Sequence, residues 1–154
     1  MKNKNSYSNK KSFFEGWYFK QQFGDDSIAF IPGINIDKNG LRYAFIQVIT
    51  NKESYNIKYD FKDFSISYDK LTIKIRDNIF SKKGLILNIV SSDIKIKGKL
   101  SYDNIITIKS DIMGPFALFP FMECSHGIIS LHHIVNGKLN INNEEIIIKD
   151  GIGY

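Results

Sequence analysis

A period-two alternation of apolar and polar side chains constrains this chain more than any other feature. The clearest stretch is Ile94-Lys95-Ile96-Lys97-Gly98-Lys99-Leu100, in which the apolar side chains fall on one face of an extended strand and the lysines on the other. Residues 71–76, Leu-Thr-Ile-Lys-Ile-Arg, repeat the pattern. Such alternation is typical of strands with one face on a core and one face in water. Since no segment has helical spacing over a dozen residues, the sequence predicts an all-β protein.

Glycine, asparagine and proline divide the chain into short extended segments. Asn39-Gly40 predicts a hairpin between two apolar runs, and Asn136-Gly137 predicts a second hairpin between residues 126–135 and 138–141. Gly24-Asp25-Asp26 and Asn142-Asn143 predict further turns. Pro32-Gly33 predicts a bend or bulge, because proline cannot donate a hydrogen bond within a sheet. About ten strands with short turns predict an antiparallel barrel or sandwich.

The chain is long enough for one domain with a substantial core. A domain of this size buries roughly 68–70% of the surface that its unfolded chain exposes. Hydrophobic residues make up 43% of the 154 residues and charged residues 24%, which is typical of a globular protein. Residues 1–11 are polar and contain lysines, so we expect a mobile tail there and a β domain over residues 12–154.

The formal net charge of +5 does not indicate nucleic-acid binding. Four lysines lie in the predicted tail, and most of the others alternate with apolar residues along predicted strands. A nucleic-acid-binding protein concentrates its positive charge in one patch or stripe. We therefore expect no nucleic-acid partner, whereas peripheral contact with an anionic membrane surface remains open.

The cysteine content and the lack of long apolar runs favour a cytoplasmic protein. Cys124 is the one cysteine, so no disulfide can form within the chain. Residues 1–11 have no apolar segment of the kind found in secretory signals, and no apolar run reaches the roughly 18 residues of a membrane helix.

One candidate site lies in the segment Phe-Phe-Glu-Gly-Trp-Tyr-Phe-Lys, residues 13–20. On a strand, Glu15 and Trp17 point to the same face, while Tyr18 points to the other. If the face of Glu15 is the inner one, its carboxyl group lies among aromatic rings, where burial favours the protonated acid. A carboxylic acid of this kind can serve as a general acid. Alternatively, Glu15 faces water or pairs with a lysine.

All three histidines and the cysteine lie in a second segment, residues 123–133. Cys124 and His126 are residue types that bind zinc, but the chain offers no second pair at a familiar spacing, so we expect no metal. A nucleophile pair of Cys124 and His126 is disfavoured, since side chains two residues apart on a strand rarely come into the contact that such a pair needs. Two interpretations stay open: His126 exchanges a proton in a pocket, tuned by Glu123, or His126 is a hydrogen-bonded structural residue.

A third segment, residues 113–122, is strongly apolar, contains two prolines and breaks the alternation. It is either a buried crossover loop or a lip over an apolar cavity. In the second case the prolines would help to hold Phe116 and Phe121 in place.

These segments resemble a known family. FFEGWYFK, IAFIPGI, IMGPF, PFMECSHGIISLHH and a closing GIGY occur in this order between Phe13 and Tyr154. Together they resemble the tocopherol cyclase-like proteins, whose plant members close a chromanol ring on a prenylated benzoquinol. The resemblance implies a fold related to two-domain, lipocalin-like β-barrels, whose relatives include carotenoid hydratases.

The resemblance covers the first part of the family pattern. In the family, the glycine–tyrosine pair is followed by an acidic segment with Asp-Trp-Gly and then by a second β domain, whereas this chain stops at Tyr154. We therefore expect an incomplete or open barrel. Since unpaired strand edges invite pairing, a homodimer or a partner chain carrying the second half would complete it.

The resemblance implies acid-catalysed cyclisation of a prenylated quinol or a similar isoprenoid, with no cofactor. The acid candidates are Glu15, Glu123 and His126. The expected substrate-binding residues are Trp17, Tyr18, Phe116, Phe121 and His133. Aromatic ring faces among them would stabilise a carbocation. The alternatives are a non-catalytic binding module for an isoprenoid, quinone or fatty acid, and an assembly subunit that completes a split barrel.

Overall fold

The described chain is built from antiparallel β-strands. The computed structural model describes residues 12–107 and 130–154, and the predicted tail at residues 1–11 lies outside this part of the chain. The strands are β1 (Phe13–Gly16), β2 (Phe19–Phe23), β3 (Asp26–Ile36), β4 (Arg42–Thr50), β5 (Ser54–Asp60), β6 (Phe64–Ser67), β7 (Thr72–Ile75), β8 (Asn78–Ser81), β9 (Gly84–Val90), β10 (Lys95–Ile106), β11 (His132–Ile141) and β12 (Glu144–Gly153). The only helical element of the described residues is one turn of 3-10 helix at Phe61–Asp63. The predicted all-β class is confirmed.

The strands form one sheet that curls into a nearly closed barrel. Its order is β5-β4-β3-β2-β12-β11-β10-β9-β8-β7-β6, and β1 pairs with β3 beside β2. This architecture fits the expected open, lipocalin-like barrel. The two edge strands, β5 and β6, are joined by the 3-10 turn. Arg76, after β7, donates its backbone N–H to the Asp63 carbonyl at 3.2 Å and pairs with the Asp63 carboxylate at 3.3 Å, which ties this turn to the sheet.

The alternation predicted from the sequence determines which residues face inward. Ile94, Ile96 and Leu100 are buried, and the lysines between them are exposed. The same alternation in the other strands fills the interior with aliphatic and aromatic side chains. The bulkiest fully buried residues include Phe30, Phe80, Ile34, Ile36, Ile46, Ile73, Ile75, Leu85, Leu87 and Ile89.

Two aromatic contacts join opposite walls of the barrel. The ring of Phe19 on β2 lies 5.7 Å from the ring of Phe80 on β8, measured between centroids. The ring of Trp17, just before β2, stacks on Phe64 of β6 at 6.1 Å. Since β2 lies far from β6 and β8 in the strand order, these contacts cross the interior of the barrel, and side chains fill its centre.

Pro32, on β3, lies opposite the break that separates β1 from β2. β1 and β2 share one register against β3, in which Gly16 pairs with Gly33 and Phe19 with Phe30. The break between them lies opposite Pro32, which accepts a hydrogen bond from the Trp17 backbone N–H at 3.0 Å but has no N–H to return. Of the bend or bulge predicted at Pro32-Gly33, the bulge is wrong, because β3 keeps an unshifted register with β4.

The hairpin predicted at Asn136-Gly137 is also wrong. β11 runs through both residues, and its register with β12 shifts between Val135 and Gly137, which marks a β-bulge. The turns predicted at Asn39-Gly40 and at Asn142-Asn143 are confirmed, and both asparagines of the second turn have positive φ.

Candidate functional site

The structure describes four of the eight predicted site residues. Glu15, Trp17, Tyr18 and His133 lie in the described ranges. The other four lie outside them, in residues 108–129, as does Cys124; they are Phe116, Phe121, Glu123 and His126.

Glu15 and Trp17 lie together on the inner face, as predicted from their spacing. Glu15 pairs in register with Ile34, which is fully buried. The Glu15 carboxylate accepts a hydrogen bond from the Tyr68 hydroxyl at 2.8 Å. The Trp17 ring lies 6.3 Å from the ring of Tyr68 and 6.1 Å from that of Phe64. We call Glu15, Trp17, Phe64 and Tyr68 the Glu15 cluster; apart from the buried Phe64, its members are half-buried.

Tyr18 lies on the outer face, and the structure does not bring it to the Glu15 cluster. Its side chain is 52% exposed. The neighbouring outward residue, Lys20, donates a hydrogen bond from Nζ to the Tyr154 hydroxyl at 2.6 Å. This hydrogen bond is the main cause that raises the pKa of Lys20. The outer face here therefore carries a different group of side chains from the inner face.

A second group of polar side chains lies deeper in the barrel. Gln21 on β2 is fully buried, and its Nε2 donates to the hydroxyl of Tyr102 on β10 at 2.6 Å. Burial raises the pKa of Tyr102 far above its usual value, although the hydrogen bond from Gln21 opposes the shift. The phenol of Tyr102 is therefore neutral at any physiological pH.

His133 belongs to the same group. Its side chain is 4% exposed, its ring lies 4.1 Å from the Tyr102 ring, and its Nδ1 lies 3.0 Å from Ser130 Oγ. Burial, with a smaller contribution from the neighbouring His132, lowers the pKa of His133 to about 4. The imidazole is therefore neutral near pH 7. We call Gln21, Tyr102, Ser130 and His133 the Gln21 cluster.

Two atoms of the Gln21 cluster are buried without a hydrogen-bond partner among the described residues. They are Gln21 Oε1 and His133 Nε2; the hydroxyl of Tyr59, on β5, is a third such atom elsewhere. Gly153 lies between the two residues in the sheet, since it pairs with Gln21 on one side and with His133 on the other. The imidazole occupies the space above Gly153, because a Cβ there would lie 2.1 Å from His133 Nε2.

The two clusters are separate. Glu15 and Gln21 are six residues apart on the inner face of one extended segment, which corresponds to about 20 Å. The contact between Phe19 and Phe80 lies between them. A surface depression of about 400 Å³, lined by residues that include Gln22, Ile147 and Ile152, opens on the outer side of β2 and β12 and touches neither cluster.

Tyr68, Gln21 and Tyr102 were missed by the sequence analysis. Tyr102 continues the inward alternation of Ile96 and Leu100, so a polar group was detectable on an apolar face. Gln21 continues the inward series of Trp17 and Phe19 in the same way. Tyr68 follows a short strand with no such signal.

Within residues 12–107 and 130–154, no three His, Cys, Asp or Glu side chains are grouped so that they could hold a metal ion. The described residues also contain no helix with the length and apolar character needed to span a bilayer.

Fold and clusters together define a nearly closed antiparallel β-barrel whose inner face is mainly apolar and carries two polar clusters, in addition to the separately buried polar groups of Tyr59 and Asn78. Comparisons with protein-family models, with curated proteins and with solved structures found no match. The relation to tocopherol cyclase-like proteins stays a prediction from the sequence motifs.

Proposed function

We propose that this chain binds an apolar small molecule with a polar head group, such as a prenylated quinol, another isoprenoid or a quinone, at the Glu15 cluster. The observation that carries this proposal is a carboxylate and a phenol, hydrogen-bonded to each other at 2.8 Å, held among aromatic rings on the inner face of a β-barrel. Ligand sites typically combine such an apolar wall with a few oriented polar groups.

The chemistry of the cluster favours a hydroxyl or carbonyl head group over a carboxylate. A hydroxyl can donate to Glu15 and accept from Tyr68, and a carbonyl can accept from Tyr68. A fatty acid would place a second carboxyl group beside Glu15 in a half-buried site, where like charges repel. A cytoplasmic setting and the lack of a nucleic-acid partner belong to the same proposal, and they rest on the composition alone.

Intrinsic fluorescence tests the proposal, because Trp17 is the one tryptophan of the chain. We expect a prenylated hydroquinone to change the Trp17 emission saturably, and a fatty acid of similar length to bind more weakly. Glu15→Gln should reduce the difference in affinity between the hydroquinone and the fatty acid, since it removes the carboxyl group that repels the fatty acid. Tyr68→Phe should weaken quinol binding while keeping the ring.

The matched control is Tyr18→Phe, which removes a hydroxyl from the adjacent outer face. It should leave both affinities unchanged. The proposal is wrong if no ligand gives a saturable change, or if Tyr18→Phe weakens quinol binding as much as Tyr68→Phe does.

A second candidate function is cyclisation of the bound prenylated quinol, favoured by the position of Glu15 beside aromatic rings. In its protonated form, Glu15 would protonate the alkene, the phenol oxygen of the substrate would capture the tertiary carbocation, and the phenol proton would return to the Glu15 carboxylate. The product is then an isomer of the substrate. Trp17 would stabilise the cation through its ring face, and Tyr68 is a positioning residue that orients the carboxyl group.

Incubation of excess prenylated hydroquinone with the protein tests this chemistry. We expect the chromatographic appearance of a cyclised isomer with wild-type protein and with Tyr18→Phe, and none with Glu15→Gln. Binding without any isomer, in the fluorescence assay above, would leave the non-catalytic binding module as the function.

The two edge strands give the assembly alternative a structural basis. β5 and β6 each pair on one side only among the described strands. If a second copy or a partner chain covers these edges, light scattering after size exclusion should give a mass above 17.7 kDa, the mass of one chain. A monomer in solution would rule out self-association through this seam.

A further inference from the structure

We propose that the Gln21 cluster is a second binding site, which takes the neutral hydroxyl group of a small phenol or alcohol. The starting observation is that Gln21 Oε1 and His133 Nε2 are both buried and both lack a partner among the described residues. Buried polar groups are almost always hydrogen-bonded, so two such atoms on either side of Gly153 indicate a partner that the described residues do not supply.

The hydrogen-bonding capacity of the two atoms defines that partner. Gln21 Nε2 donates to the Tyr102 hydroxyl, and in this amide orientation Oε1 is left as an acceptor. If Ser130 donates its hydroxyl to His133 Nδ1, the neutral imidazole carries its proton on Nε2 and becomes a donor. A hydroxyl group within hydrogen-bonding distance of both atoms would satisfy them together, because it can donate to Oε1 and accept from Nε2–H.

Charge excludes other ligand classes. The cluster contains an amide, a phenol, a hydroxyl and an imidazole, and burial keeps the phenol and the imidazole uncharged. A buried ion would therefore have no opposite charge beside it, which is costly. An ether or a hydrocarbon would leave Gln21 Oε1 without a donor. The favoured ligand is thus neutral and carries an O–H group.

This site is independent of the proposed function at the Glu15 cluster. The Phe19–Phe80 contact lies between the two clusters, and no residue belongs to both. Loss of ligand binding at one cluster therefore does not require loss at the other.

Nuclear magnetic resonance of ¹⁵N-labelled protein tests the site with phenol as the probe and anisole as the matched probe without a donor. We expect phenol to shift the Gln21 side-chain amide and the His133 ring nitrogens saturably, and the ring nitrogens to report a proton on Nε2. Anisole should bind about tenfold more weakly, as expected when one buried hydrogen bond is lost. A simple alcohol, tert-butanol, then distinguishes a phenol site from a general hydroxyl site.

Two variants test whether the preference for phenol over anisole arises at Gln21. Gln21→Leu should remove the preference for phenol over anisole, whereas Gln22→Leu, at the next, outward-facing position, should keep it. The inference is overturned if phenol causes no saturable shift in wild-type protein, which would mean that the two atoms bind water only. It is also overturned if wild-type protein binds anisole as well as phenol, and this comparison stands even if Gln21→Leu fails to fold.

Discussion

His133 is the residue whose ionisation is most sensitive to the fold. In the folded chain its imidazole is buried against Tyr102, and burial lowers its pKa from 6.5 to about 4. In the unfolded chain the same group regains its ordinary pKa. Between these two values the unfolded state binds more protons than the folded state, so folding stability falls as the pH decreases. The loss begins near pH 6.5 and is complete near pH 4.

We expect this residue alone to cost roughly 3 kcal/mol of unfolding free energy between neutral pH and pH 4. Urea unfolding of wild-type protein and of His133→Gln at several pH values measures the loss. The carboxylates titrate equally in both proteins, so the difference between the two curves isolates the imidazole. His132→Gln, at the more exposed neighbour, should keep most of the wild-type pH dependence, because His132 makes only the smaller contribution to the lowered pKa of His133. If the His133→Gln and wild-type curves run parallel from pH 7 to 4, the imidazole is not buried in neutral form.

At the scale of elements, the pairing of β10 with β11 depends on a close approach of the two strands at Gly137. Gly137 has a φ of 146°, and a Cβ at this position would lie 2.2 Å from the Lys99 carbonyl oxygen on β10. A side chain therefore meets both backbone strain and a clash with a rigid neighbour. Gly40, in the β3–β4 turn, has a φ of 81° but no atom within 4 Å of a Cβ.

We expect Gly137→Ala to cost more than about 3 kcal/mol of unfolding free energy, because strain and clash add, and Gly40→Ala only about 1 kcal/mol from strain. Thermal and urea unfolding of both variants gives the comparison. Equal losses would show that β10 and β11 separate easily at Gly137.

The same elements show how far the sequence predicts the fold. Period-two alternation predicts β7 and β10 and their buried faces correctly, because burial of one face is a local property of the sequence. The hairpin predicted at Asn136-Gly137 is wrong because β11 continues through both residues, and the irregularity lies in β12, where Lys149 and Asp150 together face Asn136. Pro32 likewise acts on a neighbouring strand: it lies opposite the break between β1 and β2, whereas the register of β3 with β4 is unshifted.

The candidate sites were predictable only in part, for a related reason. The shared face of Glu15 and Trp17 follows from their spacing on a strand. Tyr68 meets Glu15 across 53 residues of sequence, and Tyr102 meets Gln21 across 81. Contacts of this kind depend on how the sheet closes, which no local pattern encodes.

At the scale of the whole molecule, the Phe19–Phe80 pair is one of two aromatic contacts that join opposite walls of the barrel. Phe80 is fully buried, Phe19 is 7% exposed, and their contact fills the centre between the Glu15 cluster and the Gln21 cluster. The barrel is thus closed to a ligand that would span both clusters. Removing one ring should leave a dry apolar cavity, since the surrounding side chains are aliphatic and aromatic.

We expect Phe80→Ala to lower the unfolding free energy by about 3–5 kcal/mol, from lost burial and the cavity that remains. Phe80→Leu, which fills part of the space, should lose less and serves if Phe80→Ala does not fold. Tyr18→Ala, on the outer face, should change stability by no more than about 0.5 kcal/mol. Benzene should stabilise Phe80→Ala in thermal unfolding and leave wild type unchanged, because only the variant offers an apolar cavity. A small loss of unfolding free energy for Phe80→Ala would mean that the Phe19–Phe80 contact does not hold the two walls together. The contact would then not separate the two clusters.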